Sequence, residues 1–346
     1  MSFDLDILNP LAYPGWNDIV LYSGSGSFFH SSYWARVLNE SYGYKPLYFA
    51  SIVRNRFETL FPFMEVNSPI TGRRGVSLPF TDYCQPILPA GADAGMMMDG
   101  IIGFGKKSGW KYAELRSGDN LPVNVPASSE YYRHVLDIAK EEKAMFSGFR
   151  ESTRRNIKKA VKEGVKVRTS GASEAVRDFY RLNCMTRKVH GLPPQPFRFF
   201  ENIHKYVLSS GHGIVVLAEY GGAILAGGVF FHFGDEAIYK YGASDKSHQH
   251  LRANNLVMWE AIKHYSAIGC KSFCFGRTEL DNDGLMQFKR GWGGEERALS
   301  YYKYDMRREA YVSCPSLLNG FHNRVFSNLP VSFLKFSGSL LYRHLG

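Results

Sequence analysis

Residues 213–242 constrain the fold more than any other stretch. Gly213–Glu219, Ala223–Phe233 and Ala237–Gly242 are three apolar, strand-like runs separated only by Tyr220–Gly222 and Gly234–Asp235. Links of two or three residues join antiparallel neighbours, because a parallel return needs a crossover of a dozen residues or more. The three runs therefore read as a meander. A polar loop, SDKSHQHLRAN, leads from it to a helix at Asn255–Ile268, closed by Gly269. Then follow a strand at Lys271–Phe275, a loop at Gly276–Asp283, a short helix at Gly284–Arg290, a turn at Trp292–Gly294 and a strand at Leu299–Asp305. Antiparallel strands followed by alternating helix and strand indicate an α+β fold.

Just upstream, FRESTRRNIKKAVKEGVKVR (149–168) reads as one amphipathic helix through Lys162, stopped by Gly164. Phe146, Phe149, Thr153, Ile157, Ala160 and Val161 fall on one stripe at steps of three and four. Arg154, Arg155, Lys158, Lys159 and Lys162 fall opposite. Two readings of the cationic side stand: a solvated face, or a surface for phosphates. A strand at Val165–Thr169 and a helix at Glu174–Lys188 follow. His190–Phe200, HGLPPQPFRFF, is expected to be irregular because of its prolines, with a helix at Asn202–Leu208.

The first part of the chain has the same ingredients. A helix within Ser27–Tyr42 has Ser31 or Ser32 as N-cap and Gly43 as its stop. Strands are expected at Pro46–Val53 and Thr59–Val66, around a turn at Arg54–Arg56. A broken extended segment, Gly75–Leu88, follows; Ala94–Ser108 is helical, and Trp110–Arg116 and Arg133–Ile138 are strands. No repeat at a fixed period is visible. The tail, Ala310–Gly346, carries Leu317, Leu318, Phe321, Val325, Phe326, Phe333, Leu334, Phe336, Leu340 and Leu341 among Arg324, Lys335 and Arg343. It reads either as packing back on the first part or as a basic amphipathic membrane anchor.

Net charge is +10, which favours anionic partners without choosing among them. An odd count of 5 cysteines, without CxxC or Cys/His spacing, argues against a disulfide framework or a zinc site and for a reducing cytoplasm. The N-terminus, MSFDLDILNP, lacks a basic region followed by an apolar run, and no apolar run reaches the roughly 18 residues of a membrane span.

Seven stretches, in order, resemble the FemAB-like branch of the GNAT superfamily: SLPFTDYCQPIL, ESTRRNIKKAVKEGVKV, TRKVHGLPPQPFRFF, IYKYGAS, NNLVMWEAI, FGRT and GLMQFKRGWGG. The resemblance covers roughly residues 28–305. The resemblance implies two tandem GNAT-like domains, each a mixed, mostly antiparallel sheet flanked by helices. The expected boundaries are 1–145 and 146–308, with 309–346 a helical tail on the first domain or on membrane. The implied activity is that of an N-acyltransferase or aminoacyltransferase forming an amide on an amine of a peptidoglycan or polysaccharide precursor. The implied donor is aminoacyl-tRNA or acyl-CoA, with no tightly bound cofactor. The acceptor would be phosphorylated, UDP-linked or lipid-linked. The enzyme would be cytoplasmic, with peripheral contact to the inner membrane face as a further option. Two departures stand out. The long helical hairpin arm of tRNA-using members has no counterpart here, and Gln249–Asn254 lacks the glycines that let backbone approach a CoA pyrophosphate.

Within that family, Lys289 of FKRGWGG matches the lysine used near the acceptor's phosphates. Arg277, placed just after a strand, is a second anion-binding candidate, and Arg154, Arg155 and Lys158 are candidates for a phosphate of donor or acceptor. Arg252, Asn254 and Asn255 stand where a cofactor would meet a helix start; the asparagines are equally readable as caps. Tyr241 is either an oxyanion donor or a core tyrosine. Asp281, Asp283, His248 and His250 are the candidate bases. Lys188 and His190 flank the proline-rich segment, and Asp82 and Tyr83 are expected to touch the acceptor. No Ser/His/Asp, Cys/His or HExxH pattern stands out, so direct attack without metal or acyl-enzyme is expected. A nucleic-acid-binding protein using the helix 149–162, and a non-catalytic binder of an envelope precursor, are the competing readings; DNA is not expected as a partner.

Overall fold

A computed structural model describes residues 5–117, 125–313 and 326–346. In chain order the elements are β1 (Asp6–Leu8), α1 (Trp16–Tyr22), α2 (Ser32–Tyr42), β2 (Lys45–Val53), β3 (Arg56–Ser68), β4 (Gly72–Val76), α3 (Ala94–Lys107), β5 (Tyr112–Arg116) and β6 (Ser129–Asp137). Then come α4 (Glu142–Gly148), α5 (Glu151–Lys162), β7 (Lys166–Ser170), α6 (Ser173–Val189), α7 (Phe197–Ile203), β8 (Gly213–Tyr220), β9 (Ala223–Phe233) and β10 (Glu236–Ser244). The last are α8 (Ala253–Ala267), β11 (Ser272–Glu279), α9 (Asp283–Arg290), β12 (Glu295–Asp305), β13 (Ala310–Tyr311) and α10 (Val331–Leu345). The class is α+β, with mostly antiparallel sheet flanked by helices, as expected.

The chain divides into two compact units. The first takes in the described parts of Met1–Tyr132, Ala298–Leu318 and Leu340–Gly346; the second takes in those of Arg133–Arg297 and Asn319–Ser339. In the first unit the strand order is β1-β2-β3-β4-β5-β12, antiparallel except for β4 with β5. The β2–β3 turn is made by Arg54 and Asn55, both at positive φ (49° and 60°), so the two residues twist in the sense the hairpin needs. Ser31 caps α2 by accepting from Trp34 N, and Gly43 ends it at φ 75°. Phe49, Phe61, Phe63, Ile101 and Trp110 fill the core against α3. Residues 340–346 belong here as well: Arg74 Nε donates to Gly346 O at 2.7 Å, and Tyr44 Oη donates to Tyr342 O at 3.0 Å.

The second unit is built on the meander expected from the sequence. β7, β8, β9 and β10 are antiparallel neighbours in that order, and β11 adds in parallel to β10. Its core joins Val216, Phe230, Ile262, Tyr265 and Phe273. Phe149 wedges edge-on between Trp259 (5.3 Å) and Trp292 (5.0 Å).

Several expectations need correction. The basic stretch is not one helix from Phe149. The α4 helix ends at Gly148, Phe149 is extended, and α5 begins at Glu151, because Phe149 must turn inward to reach the two tryptophans. Val161 is exposed, not part of the inner stripe, which consists of Thr153, Ile157 and Ala160. The proline-rich segment is irregular only to Pro196. That residue is the N-cap of α7, where a missing N–H costs nothing, so Phe197–Phe200 are helical. The extended segment at Gly75–Leu88 ends as a strand at Val76, since Leu78 and Phe80 take positive φ. Arg277 lies inside β11, not in the following loop. The tail residues Leu317, Leu318, Phe321, Arg324 and Val325 lie outside the described residues.

Candidate active site

The second unit contains an opening made by strands that part. β10 and β11 pair only over Glu236–Ile238 and Ser272–Cys274, although β10 runs on to Ser244 and β11 to Glu279. A β-bulge between Tyr239 and Tyr241 shifts the register with β9 at that point. Bulges bend a strand, so β10 stays on β9 and leaves β11. Tyr239 is half-buried with its hydroxyl enclosed and pushed up to about 12 by burial, and a Cβ at Gly242 would collide with that hydroxyl. The glycine is what lets the ring lie along the strand.

Beyond the divergence lies a cavity of about 290 Å³, lined by Leu225 and Ala226 of β9, Ser244, the loop Asp245–Arg252, the start of α8, and Gly284 and Phe288 of α9. Arg252, Asn254 and Asn255 are thus brought together. Arg252 precedes α8 in the left-handed conformation (φ 59°), and no side chain caps the helix, so the amides of its first turn face the cavity region without a competing side-chain acceptor. Asn255 is buried, whereas Asn254 is exposed.

The loop entering α8 is ordered by its own side chains. Thr186 Oγ1 donates to Ser244 O (3.1 Å) and accepts from Ser244 N (3.0 Å). Asp245 accepts from Ser247 N and Oγ and lies 2.8 Å from His248 Nδ1. The Ser247 hydroxyl, then His248, hold the Asp245 carboxyl below its usual range. Pairing of Nδ1 with a carboxylate leaves Nε2 as the nitrogen that can take a proton. His190, at the end of α6, has its imidazole pushed down by burial and then by Lys246 and Arg187; Lys188 stands two residues before it. Reading the sequence for motifs missed Asp245. Its signal is a DxxH spacing directly before a helix, where an Asp that caps a turn also reaches the histidine one turn on.

The other candidates are dispersed. Lys289 is 2% exposed, and its ammonium donates to Gly276 O (2.9 Å) and Arg277 O (3.0 Å). It therefore ties α9 to the end of β11 that diverges from β10. Arg277 leans toward Glu279 at 3.4 Å. Tyr241 sits edge-on to Phe199 (6.0 Å) and Phe200 (5.5 Å) of α7. Asp281 and Asp283 are exposed at the start of α9. Arg154, Arg155 and Lys158 line a separate groove of about 780 Å³ with Lys143, Phe146 and Trp259, opposed by Glu142 and Glu151. In the first unit, Asp82 O accepts from Tyr301 Oη at 2.6 Å, and Tyr83 is buried edge-on to Phe29. Among the described residues no cluster of three His, Cys, Asp or Glu side chains could hold a metal ion.

Residues 147–290 match the acetyltransferase (GNAT) domain family. The lipid II:glycine glycyltransferase of Staphylococcus epidermidis is 32% identical over 82 residues, 22% of this chain and 20% of that protein. Its Staphylococcus haemolyticus counterpart is 32% identical over 78 residues, 21% and 19% of the two chains. The chain thus spans about a fifth of the length of the curated relatives it matches. Among solved structures, FemX superposes with a TM-score of 0.66 at 13% identity, covering 86% of this chain and 97% of that one. A tandem GNAT protein from the clavulanic acid biosynthesis pathway superposes at 0.56 and 10% identity, covering 88% and 98%. At these identities the superpositions establish fold alone.

Proposed function

We propose that the chain is a FemAB-like member of the GNAT family, and on that premise that it is an N-acyltransferase or aminoacyltransferase acting on an amine of a cell-envelope precursor. The parting of β10 from β11 beside the uncapped start of α8 carries this reading. A divergent strand pair offers backbone N–H and C=O groups to an extended acyl donor, and the helix start offers amides to its negative end.

The reaction is a direct displacement. The acceptor amine attacks the donor carbonyl, the amine proton passes to His248 Nε2, and the leaving oxygen or sulfur of the donor takes a proton as the C–N bond replaces it. Asp245 fixes the His248 tautomer. Asp281 and Asp283 are the rival bases, and Tyr241 the rival oxyanion donor. Lys289 is a positioning residue that keeps the β11 end in place.

The turn entering α8, Gln249–Asn254, has no glycine. Backbone therefore approaches a pyrophosphate less closely there, which favours aminoacyl-tRNA over acyl-CoA. The groove of Arg154, Arg155 and Lys158 would then take backbone phosphates of the tRNA. The acceptor is proposed to be a phosphorylated, UDP-linked or lipid-linked muropeptide, met at the inner face of the membrane. The test is a screen of the full chain with glycyl-tRNA, other aminoacyl-tRNAs and acyl-CoAs against UDP-linked and lipid-linked muropeptides. Amide product with one donor class supports the proposal. Binding of the muropeptide without product for any donor would favour a non-catalytic binder.

A further inference from the structure

One face of the second unit combines exposed apolar side chains with cations. Arg177, Arg181, Met185 and Val189 follow one another at steps of four along the outer side of α6. Met185 is 47% and Val189 51% exposed. Beside α6 runs a mostly apolar groove of about 390 Å³, walled by Tyr180, Pro196 and Phe197 and edged by Arg177, Arg181, Lys335 and Ser339. Lys335 of α10 lies 5.3 Å from the Tyr180 ring. Next round the α10 helix stand Phe336, 62% exposed, and Phe333, 50% exposed. Inward-facing Leu334 and Gly338 hold α10 down, since a Cβ at Gly338 would clash with Pro194 O.

The charges on this face are cationic. α10 contains no Asp or Glu. Asp178 of α6 is engaged by Arg168 (2.6 Å) and Arg181 (3.3 Å), which leaves Glu174 at the helix start as the other carboxylate of the α6 segment. Exposed phenylalanines on α10, beside a mostly apolar groove edged by cations, match an interface with an anionic headgroup layer above and acyl chains below. A protein partner of ordinary surface composition would not require exposed phenylalanines beside a net cationic face, on which Arg177, Arg181 and Lys335 outnumber Asp178 and Glu174.

We propose that this α6–α10 face docks the chain peripherally on an anionic phospholipid bilayer, with Phe333 and Phe336 entering the headgroup–acyl boundary and Arg177, Arg181 and Lys335 meeting lipid phosphates. Docking is independent of turnover. It rests on the proposed transfer reaction only for its purpose, which is to bring a lipid-linked acceptor within reach.

The experiment is co-sedimentation of the full chain with vesicles of phosphatidylcholine alone and of equimolar phosphatidylcholine and phosphatidylglycerol, without donor or acceptor. The wild type is expected to bind the anionic vesicles, with affinity falling as salt rises. The double substitution Phe333→Ser, Phe336→Ser should lower the partition coefficient by about tenfold or more. Arg177→Glu with Lys335→Glu should lower it by at least about fivefold per site. Ile70→Ser, at a 69%-exposed position on the turn between β3 and β4, should change nothing. Unchanged melting temperatures show that the variants are folded, and the charge reversals, at exposed positions, keep the test open should the phenylalanine pair lower expression. No binding to anionic vesicles, or binding that survives both double substitutions, overturns the proposal. So does a wild-type dimer in solution that becomes monomeric in the phenylalanine variant, which would assign the face to a second copy.

Discussion

His248 Nδ1 lies 2.8 Å from Asp245 Oδ2, within a loop pinned to α6 by Thr186 and leading straight into α8. That carboxylate sets the tautomer of a histidine lining the cavity. With His248 as the base, His248→Gln should lower kcat by about 10²–10⁴-fold with little change in KM. Asp245→Asn, which removes the carboxylate that fixes the tautomer, should do the same. If Asp281→Asn or Asp283→Asn causes the large loss and His248→Gln does not, the base is at the start of α9 instead.

Lys289 acts through two backbone carbonyls, Gly276 O and Arg277 O. Lys289→Met removes both of these charge-assisted hydrogen bonds, at about 1.5–3 kcal/mol each. Urea unfolding should show a midpoint well below wild type. A Lys289→Met protein of wild-type stability with lost acceptor binding would instead place the ammonium on a ligand.

Gly293 has φ 74°, and a Cβ there would come to 2.9 Å from Gly148 O. Gly293→Ala should therefore destabilise by more than about 1 kcal/mol. Gly100, inside α3 with nothing within 4 Å of its Cβ position, is the matched control: Gly100→Ala should stabilise by a few tenths to about 1 kcal/mol. Thermal melts of the two variants should move in opposite directions.

Burial lowers two imidazoles to about 4: His30, completely enclosed in the first unit, and His232, beside His212 and His264 in the second. Both fold neutral, while an unfolded chain protonates them near 6.5. The unfolded state thus binds more protons between those values. Stability is full above about pH 6.5 and is lost as pH falls toward 4. For His30 the loss is roughly 3 kcal/mol. Melting temperature against pH should drop across that window, and His30→Gln should flatten part of the slope.

Much of the fold was legible from local pattern. The meander at Gly213–Ser244 and the helix–strand–helix order after it follow from apolar runs with two-residue links, and the observed strands differ from expectation only at their ends. What was not legible depends on partners distant in sequence. Phe149 breaks the basic helix because Trp259 and Trp292 wait for its ring. Lys289 looks like a surface cation in FKRGWGG, and only the fold shows two carbonyls of β11 around it. In the site, the grouping of Arg252, Asn254 and Asn255 follows from a helix start that the sequence marks clearly. Tyr241 points instead into the rings of α7, because the bulge at Tyr239 fixes which side of β10 each residue takes, and no periodicity in the sequence announces a bulge.

The most direct test is the mass of the acceptor. The full chain is incubated with aminoacyl-tRNA or acyl-CoA and a lipid-linked or UDP-linked muropeptide, and the acceptor is weighed by mass spectrometry. An increase equal to the donor's free acid less water, produced by wild type and abolished by His248→Gln, is the expected result. An acceptor that binds with measurable affinity yet keeps its mass with every donor would contradict a transferase.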